Sequence, residues 1–292
     1  MQHEHAEVNG IRLHYLSAGK GPLMLFVHGF PEFCYAWHAQ LKEFARDHHV
    51  VAPDLRGFNR SDKPEAVKAY RPALVVEDLR QLIAHLGHTR CILVAHDWGG
   101  AMAWNLAAQH PELVERLVII NSPHPVTFAR ELAHNPAQQA ASQYMLLFRQ
   151  DKAERVMSAD GYARLAGMLE PWLSHGPNAP DADMLARYHE AWAQPGALRG
   201  GLNYYRASPL HPPSADAPGA AALTLDPAPF TVRVPTLVIW GERDHALLPG
   251  VLDGLEQYVP DLRIERIAEG THWVVHEYPE RVNALIRGFI GR

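Results

Sequence analysis

The chain predicts an α/β fold: a mostly parallel central sheet flanked by helices, interrupted once by a helical insertion. Three observations predict it. Short apolar runs alternate with stretches of helical period along much of the 292 residues, the mark of parallel strands buried on both faces. The loops after those runs collect the histidines, glycines and acids, and ligands of such sheets bind beyond the carboxyl ends of the strands. The alternation lapses between about residue 124 and residue 228 and resumes at Val234.

The elements follow in order. Residues 4–18 read as two strands around Asn9-Gly10, a strong hairpin signal. Residues 23–27 form an apolar run that feeds the loop at His28-Gly29, and residues 50–53 form another, ending in the polar stretch 54–64. Residues 74–86 have helical period and stop at Gly87, a fitting C-terminal cap. A third buried strand is expected at 91–95, a helix at 101–109 before Pro111, a fourth strand at 117–120 and a fifth at 236–240. Residues 262–267 are strand-like. The interrupting stretch is helical in pattern and rich in Ala, Met, Tyr and Trp; it closes with a Pro/Ala-rich linker, 208–229, that holds six prolines. The expected organisation is an α/β core from 1–123 and 229–292, with 124–228 as a helical cap and its return linker.

Composition excludes several classes. Hydrophobic residues are 47% and charged residues 20%, ordinary for a globular chain and against disorder. The net charge of -5, with no basic stripe, offers no footprint for nucleic acid. No apolar run approaches the roughly 20 residues needed to span a bilayer. The opening residues lack a basic and apolar leader pattern, so no secretory signal is expected. Cys34 and Cys91 show no paired spacing and suit a reduced cytoplasm. Nineteen histidines include no HExxH motif, and His272 with His276, at i and i+4, lacks a third ligand. No metal and no cofactor are expected, and the chain reads as a monomer or homodimer.

Residues 95–100, Ala-His-Asp-Trp-Gly-Gly, lie between a buried strand and a helix. A nucleophile elbow needs a sharp turn there, with small residues on either side. Ala95, Gly99 and Gly100 supply them, and the residue at the turn is Asp97. A carboxylate on an elbow can attack carbon and form an ester, and the helix N-terminus keeps it ionised. Asp244 follows the strand at 236–240, and His272 follows the strand-like stretch at 262–267. Both fall in loops leaving the sheet on the side of Asp97. His272 is the expected base, with Asp244 fixing its tautomer. Glu242 and His245 are the second candidates for acid and base. The amides of Phe30, after His28-Gly29, and Trp98 are expected to form an oxyanion hole.

Taken together, these residues resemble the epoxide hydrolase branch of the α/β-hydrolases, along essentially the whole chain. The resemblance rests on residues 28–32 (His-Gly-Phe-Pro-Glu), 54–64 (Asp-Leu-Arg-Gly-Phe-Asn-Arg-Ser-Asp-Lys-Pro), 96–100 (His-Asp-Trp-Gly-Gly) and 121–125 (Asn-Ser-Pro-His-Pro). Residues 201–206, Gly-Leu-Asn-Tyr-Tyr-Arg, are similar to the second cap-tyrosine motif of that branch, with the match on Tyr205. Residues 142–144, Ser-Gln-Tyr, are similar to the first, with Tyr144 as the tyrosine. The resemblance implies that a small apolar epoxide and water are the substrates. It implies that Asp97 opens the ring, that Tyr144 and Tyr205 protonate the leaving oxygen, and that His272 activates water against the resulting ester. Phe30, Trp98, Met145, Phe148 and Trp172 are expected to shape the substrate cavity, together with Trp192. Haloalkane and haloacetate dehalogenases share the Asp-His-Asp chemistry. Against them, Phe30 stands where haloalkane dehalogenases typically carry Asn, and Gln143-Tyr144 stands where fluoroacetate dehalogenases carry His-Trp. A non-catalytic, ligand-binding member of the fold is the third reading; such a binder would typically lack a triad residue.

Overall fold

Asn9 and Gly10 both take positive φ, 47° and 74°, the left-handed pair that a two-residue hairpin turn needs. In this computed structural model, which describes residues 1–170, 172 and 182–291, they join β1 (Gln2–Val8) to β2 (Ile11–Ala18), with Val8 opposite Ile11. Six further strands follow among the described residues: β3 (Leu23–Val27), β4 (His49–Pro53), β5 (Cys91–His96), β6 (Val114–Ile120), β7 (Thr236–Gly241) and β8 (Leu262–Ile267). They form one sheet in the order β1-β2-β4-β3-β5-β6-β7-β8. β1, β2 and β4 pair antiparallel, and every pairing from β4 to β8 is parallel.

Every residue of β3 and β5 is buried, which explains runs without polar alternation. The chain leaves β3 towards β4 and returns past it to β5, so the strand order reverses at β3. Such a reversal opens a crevice beyond the strand ends. The register aligns those ends: Val27 lies opposite Ala95, His96 opposite Ile120, and Gly241 opposite Ile267. Loops leaving β3, β5, β6, β7 and β8 therefore meet above one edge of the sheet.

The helices are α1 (His38–Phe44), α2 (Pro72–His85), α3 (Asp97–Gln109), α4 (Pro125–His134), α5 (Pro136–Ala141), α6 (Gln143–Phe148), α7 (Ala153–Met168), α8 (Ala182–Ala193), α9 (Ala197–Ala207), α10 (Val274–Glu277) and α11 (Pro279–Ile290). α4 to α9 all lie between β6 and β7 in the chain, the helical insertion that the broken alternation predicts. α7 is kinked where Asp160, Gly161 and Tyr162 adopt positive φ. No helix among the described residues is long and apolar enough to cross a membrane.

The structure starts α3 at Asp97, four residues ahead of the expected 101. Gly99 and Gly100 look like turn residues, but they serve as first-turn helical residues at a close approach. A Cβ on Gly99 would run into the carbonyl oxygens of Val27 and His28, and one on Gly100 would meet the Ser122 side chain. α1 and α11 have no counterpart among the expected elements. The apolar stripe of α11, Val282, Ile286 and Phe289, is buried and has helical spacing.

The close approach sets the first expected outcome. Gly99→Ala should destabilise the chain by about 1–3 kcal/mol, the usual cost of overpacking. The denaturation midpoint, at constant m-value, measures it. An unchanged midpoint would show that α3 is free to move away from β3.

Candidate active site

β5 ends in extended backbone at His96, with φ -128° and ψ 146°, and the chain then turns sharply into α3. Asp97 makes the turn with φ 49°, a left-handed conformation uncommon outside glycine and expected at a nucleophile elbow. Three contacts hold it. The Ser122 hydroxyl donates to the Asp97 carbonyl at 2.7 Å. The Phe30 amide donates to Asp97 Oδ1 at 2.7 Å. Gly29 lies against the Asp97 side chain so closely that a Cβ there would collide with it. The Trp98 amide, second in α3, is one of the first N–H groups without an intrahelical partner. It faces the same helix end as the carboxylate, where the helix dipole favours negative charge.

His272 and Asp244 come from the loops after β8 and β7. His272 Nδ1 lies 2.7 Å from Asp244 Oδ2, and His272 Nε2 lies 3.7 Å from Asp97 Oδ2. The side chains of His272 and Asp97 are each 13% exposed, whereas that of Asp244 is wholly buried. Asp244 is saturated with donors: the amides of Ala246 and Leu247 reach Oδ1 at 2.8 and 2.9 Å, and the Asn121 side-chain amide reaches Oδ2 at 2.8 Å. Burial works against the Asp244 charge, but His272 and these donors bring its carboxyl below the usual range. Burial also works against a charge on His272. There the Asp244 carboxylate, and behind it Asp97 and Glu32, win and raise the ring from 6.5 to about 9. With Nδ1 committed to an ionised Asp244, Nε2 is the nitrogen left to exchange a proton at Asp97.

Above this pair lies an apolar cavity of about 440 Å³, bordered by Asp97, His272, Phe30, Phe148, Tyr144 and Tyr205, among others. Tyr144 comes from α6 and Tyr205 from α9. Their rings meet edge to face at 6.1 Å. Burial, then the neighbouring carboxylates, raises the Tyr144 phenol; burial, then Tyr144 and Asp97, raises that of Tyr205. Both therefore stay protonated donors at neutral pH. Tyr204 is turned away: its hydroxyl donates to the Arg56 carbonyl at 3.0 Å, in a buried aromatic cluster with Phe58 and Tyr70. A smaller chamber of about 60 Å³ shares Asp97, Tyr144 and Tyr205, and is walled by Trp98, Met145 and Phe128.

Residues 22–279 match the model of the family described as alpha/beta hydrolase fold. The chain belongs to this family, in its epoxide hydrolase branch. It is 36% identical to epoxide hydrolase 3 of Xenopus tropicalis, over 97% of this chain and 75% of that protein. It is 37% identical to the AB hydrolase superfamily protein YfhM of Bacillus subtilis, over 97% of this chain and 95% of that protein. A Bacillus megaterium epoxide hydrolase, solved in complex with an inhibitor, superposes with a TM-score of 0.91 at 38% identity. That match covers 99% of this chain and 100% of the other.

Other residues considered from the sequence fall at different places in this α/β-hydrolase. Trp172 is buried, stacks on His276 with ring centroids 4.2 Å apart, and is not among the described lining residues of either cavity. The Trp192 indole donates to the Pro31 carbonyl at 2.6 Å, outside the lining of both of these cavities. Its packing role comes from long-range contact that periodicity does not reveal. Glu242 is exposed and pairs with Arg266 at 3.1 Å, so Asp244 alone of the two acids meets His272. His245 is exposed and borders the larger cavity. His276 does not converge with His272 on a common point; its Nε2 lies 2.5 Å from Glu32 Oε1.

Two further residues, Asn121 and Glu32, support the site. Asn121 ties Asp244 to β7, accepting from the Gly241 amide at 2.8 Å while donating to the carboxylate. Glu32 is a buried hub: besides His276 it takes the Tyr188 hydroxyl at 3.0 Å and His96 Nδ1 at 2.9 Å. His96 Nε2 in turn lies 2.9 Å from the His272 carbonyl. Burial opposes the Glu32 charge, but His276 and His96 hold its carboxyl well below the usual range. The available signal was position: Asn121 directly follows the apolar run 117–120, and Glu32 lies in the loop that directly follows the apolar strand β3.

The field at His272 gives a titration test. Asp97→Asn removes one of the charges that raise the ring, so the imidazolium should lose its proton at lower pH than in the unaltered protein. Nitrogen-resolved NMR of the ring across pH 5–10 measures this, with the Nδ1–H resonance retained throughout. An unmoved titration would mean that Asp97 does not act on His272 electrostatically.

Proposed function

We propose that this chain hydrolyses epoxides to vicinal diols through an ester on Asp97. The observation that carries the reading is a carboxylate on a strained elbow, bordered on one side by the His272–Asp244 pair and on the other by two tyrosines from the inserted helices. A serine at this position would acylate; a carboxylate with one oxygen tied to Phe30 and the other facing the cavity is suited to displace at carbon. Residues 124–228 act as the cap in this reading. The two cysteines, both free and buried, suit work in a reducing cytoplasm.

Asp97 Oδ2 attacks a ring carbon from the face opposite the C–O bond, which breaks as the new C–O bond forms. Tyr144 and Tyr205 hydrogen-bond the departing oxygen, and one gives it a proton. Alkylation removes the Asp97 charge, and with it part of the field that holds the proton on His272. That proton passes to the tyrosinate, leaving a neutral base. His272 then takes a proton from water, and the hydroxide attacks the ester carbonyl carbon. The amides of Phe30 and Trp98 receive the oxyanion. Collapse expels the alkoxide, which takes a proton from His272 and leaves as diol. The proton left on the Asp97 carboxyl returns to His272, so every group ends as it began.

Ring opening needs no base, but hydrolysis does, because water is a poor nucleophile at neutral pH. His272→Gln should therefore alkylate and stop. Incubated with styrene oxide, the variant should gain the whole epoxide mass on the peptide that holds Asp97. Adding Tyr205→Phe to that variant should slow the adduct by about 10²–10³, the usual loss of one aimed donor, or less where Tyr144 compensates. Turnover to diol without His272 would name another base, with His245 next at the cavity. A folded variant that forms no adduct with any epoxide would overturn the activity.

A further inference from the structure

Three histidines meet at the edge of the sheet. β1 ends the strand order on one side. His3 and His5, two apart on β1, share one face of that strand. His14 of β2 stands directly opposite His5, on the same face. The ring centroids of His3 and His14 lie 5.1 Å apart, and those of His5 and His14 lie 5.2 Å apart. His3 and His5 are exposed, whereas His14 is wholly buried. None of the three lines either cavity at Asp97, and the epoxide chemistry leaves them without a role.

The buried ring is held in one tautomer. Asp54 directly follows β4 and accepts from the Cys34 amide at 2.9 Å, the Asn59 side-chain amide at 2.9 Å and the Arg60 amide at 3.3 Å. A carboxyl surrounded by donors is ionised and can only accept. His14 Nδ1, at 2.6 Å from Asp54 Oδ2, is therefore the protonated nitrogen. His14 Nε2 keeps its lone pair and faces His3 Nδ1 at 2.8 Å. An imidazole backed by a carboxylate and presenting its other nitrogen outward is the usual support of a metal-bound histidine. Two nitrogens on one tetrahedral zinc stand roughly 3.3 Å apart, given bonds of about 2.0–2.1 Å, so the exposed His3 ring has to draw back by only about half an ångström. Arg60 acts on His3 and His5, and Arg12 on His5, against a cation. Asp54 acts in its favour on both rings, and Arg60 is itself paired with Glu190 at 3.4 Å.

We propose that His3, His5 and His14 form a binding site for a divalent transition-metal ion of the zinc class, with His14 Nε2 as its buried anchor. Three neutral imidazoles suit zinc, copper and nickel rather than magnesium or calcium. The ion ties the edge strand β1 to β2 and, through Asp54, to the loop after β4. A second set of ligand atoms lies close by: His14, Cys34 and Asp54 each offer one within 4.8 Å of the others. Filling it would break the 2.6 Å contact between His14 and Asp54. It would also need the Cys34 thiolate, and burial, then the Asp54 charge, pushes that thiol well above its usual range. The outer set needs neither change.

The test is titration calorimetry with zinc on the full chain, free of any purification tag, beside His3→Gln and His5→Gln. Both substitutions fall at exposed positions, and circular dichroism checks that each variant is folded. The unaltered chain should take one zinc ion at its tightest site. Loss of an outer-shell partner alone commonly costs about 10–100-fold in metal affinity, so each variant should lose at least about tenfold. Nitrogen-resolved NMR should show zinc shifting the His14 Nε2 resonance while the Nδ1–H signal persists. Cobalt(II) in place of zinc should bind without a thiolate-to-metal absorption band. A tightest site that neither substitution weakens would overturn the proposal. A thiolate band would do the same, by moving the metal to Cys34. So would a folded chain that takes up no zinc at millimolar concentration.

Discussion

The site depends on one constraint: α3 must begin at the end of β5 with no intervening loop. That forces Asp97 into a left-handed backbone, a conformation that costs a non-glycine residue of order 1–3 kcal/mol unless its surroundings hold it. The surroundings do. Gly99 lets the helix press on the carbonyls of β3, Gly29 makes room for the carboxylate, and Ser122 and Phe30 bind its two ends. The result is a charged side chain lifted above the sheet, at the crevice where the strand order reverses.

Buried charge organises what surrounds it. A carboxylate removed from water is costly unless it is fully hydrogen-bonded. Asp244 and Glu32 meet that condition, with donors on both oxygens of each. Asp97 differs. Its Oδ1 takes the Phe30 amide, while Oδ2 lies 3.7 Å from His272 Nε2, beyond hydrogen-bond length. One oxygen is held and the other stays available. The same arrangement couples the two chemical steps, because the charge that disappears when Asp97 is alkylated is one that keeps His272 protonated.

Much of this was legible in the sequence, for physical reasons that differ between parts. The inner strands β3, β4, β5 and β7 were readable because parallel strands buried on both faces admit almost no polar residue, whereas β1 and β2 were readable from the Asn9-Gly10 turn between them. The start of α3 is not legible locally, because Gly99 and Gly100 signal a turn, and only the proximity of β3 shows that they are helical. Phe30, Asp97, Asp244 and His272 were candidates because each sits just past a strand end, where short runs carry the signal. The motif match falls on Tyr205 rather than on its neighbour, and in three dimensions the Tyr204 hydroxyl is taken by the Arg56 carbonyl. The positions of Trp172 and Trp192, and the convergence of Glu32 with His96, His276 and Tyr188, join residues far apart in the chain. No local pattern encodes such meetings.

The claim on which all of this turns is that the oxygen added to the substrate comes from Asp97 rather than directly from water. A single turnover in water enriched in heavy oxygen, with enzyme in excess over epoxide, tests it most directly. An ester on Asp97 predicts an unlabelled diol in the first turnover and one heavy oxygen in the peptide that carries Asp97. Heavy oxygen in the diol of that first turnover, with an unlabelled peptide, would contradict the account.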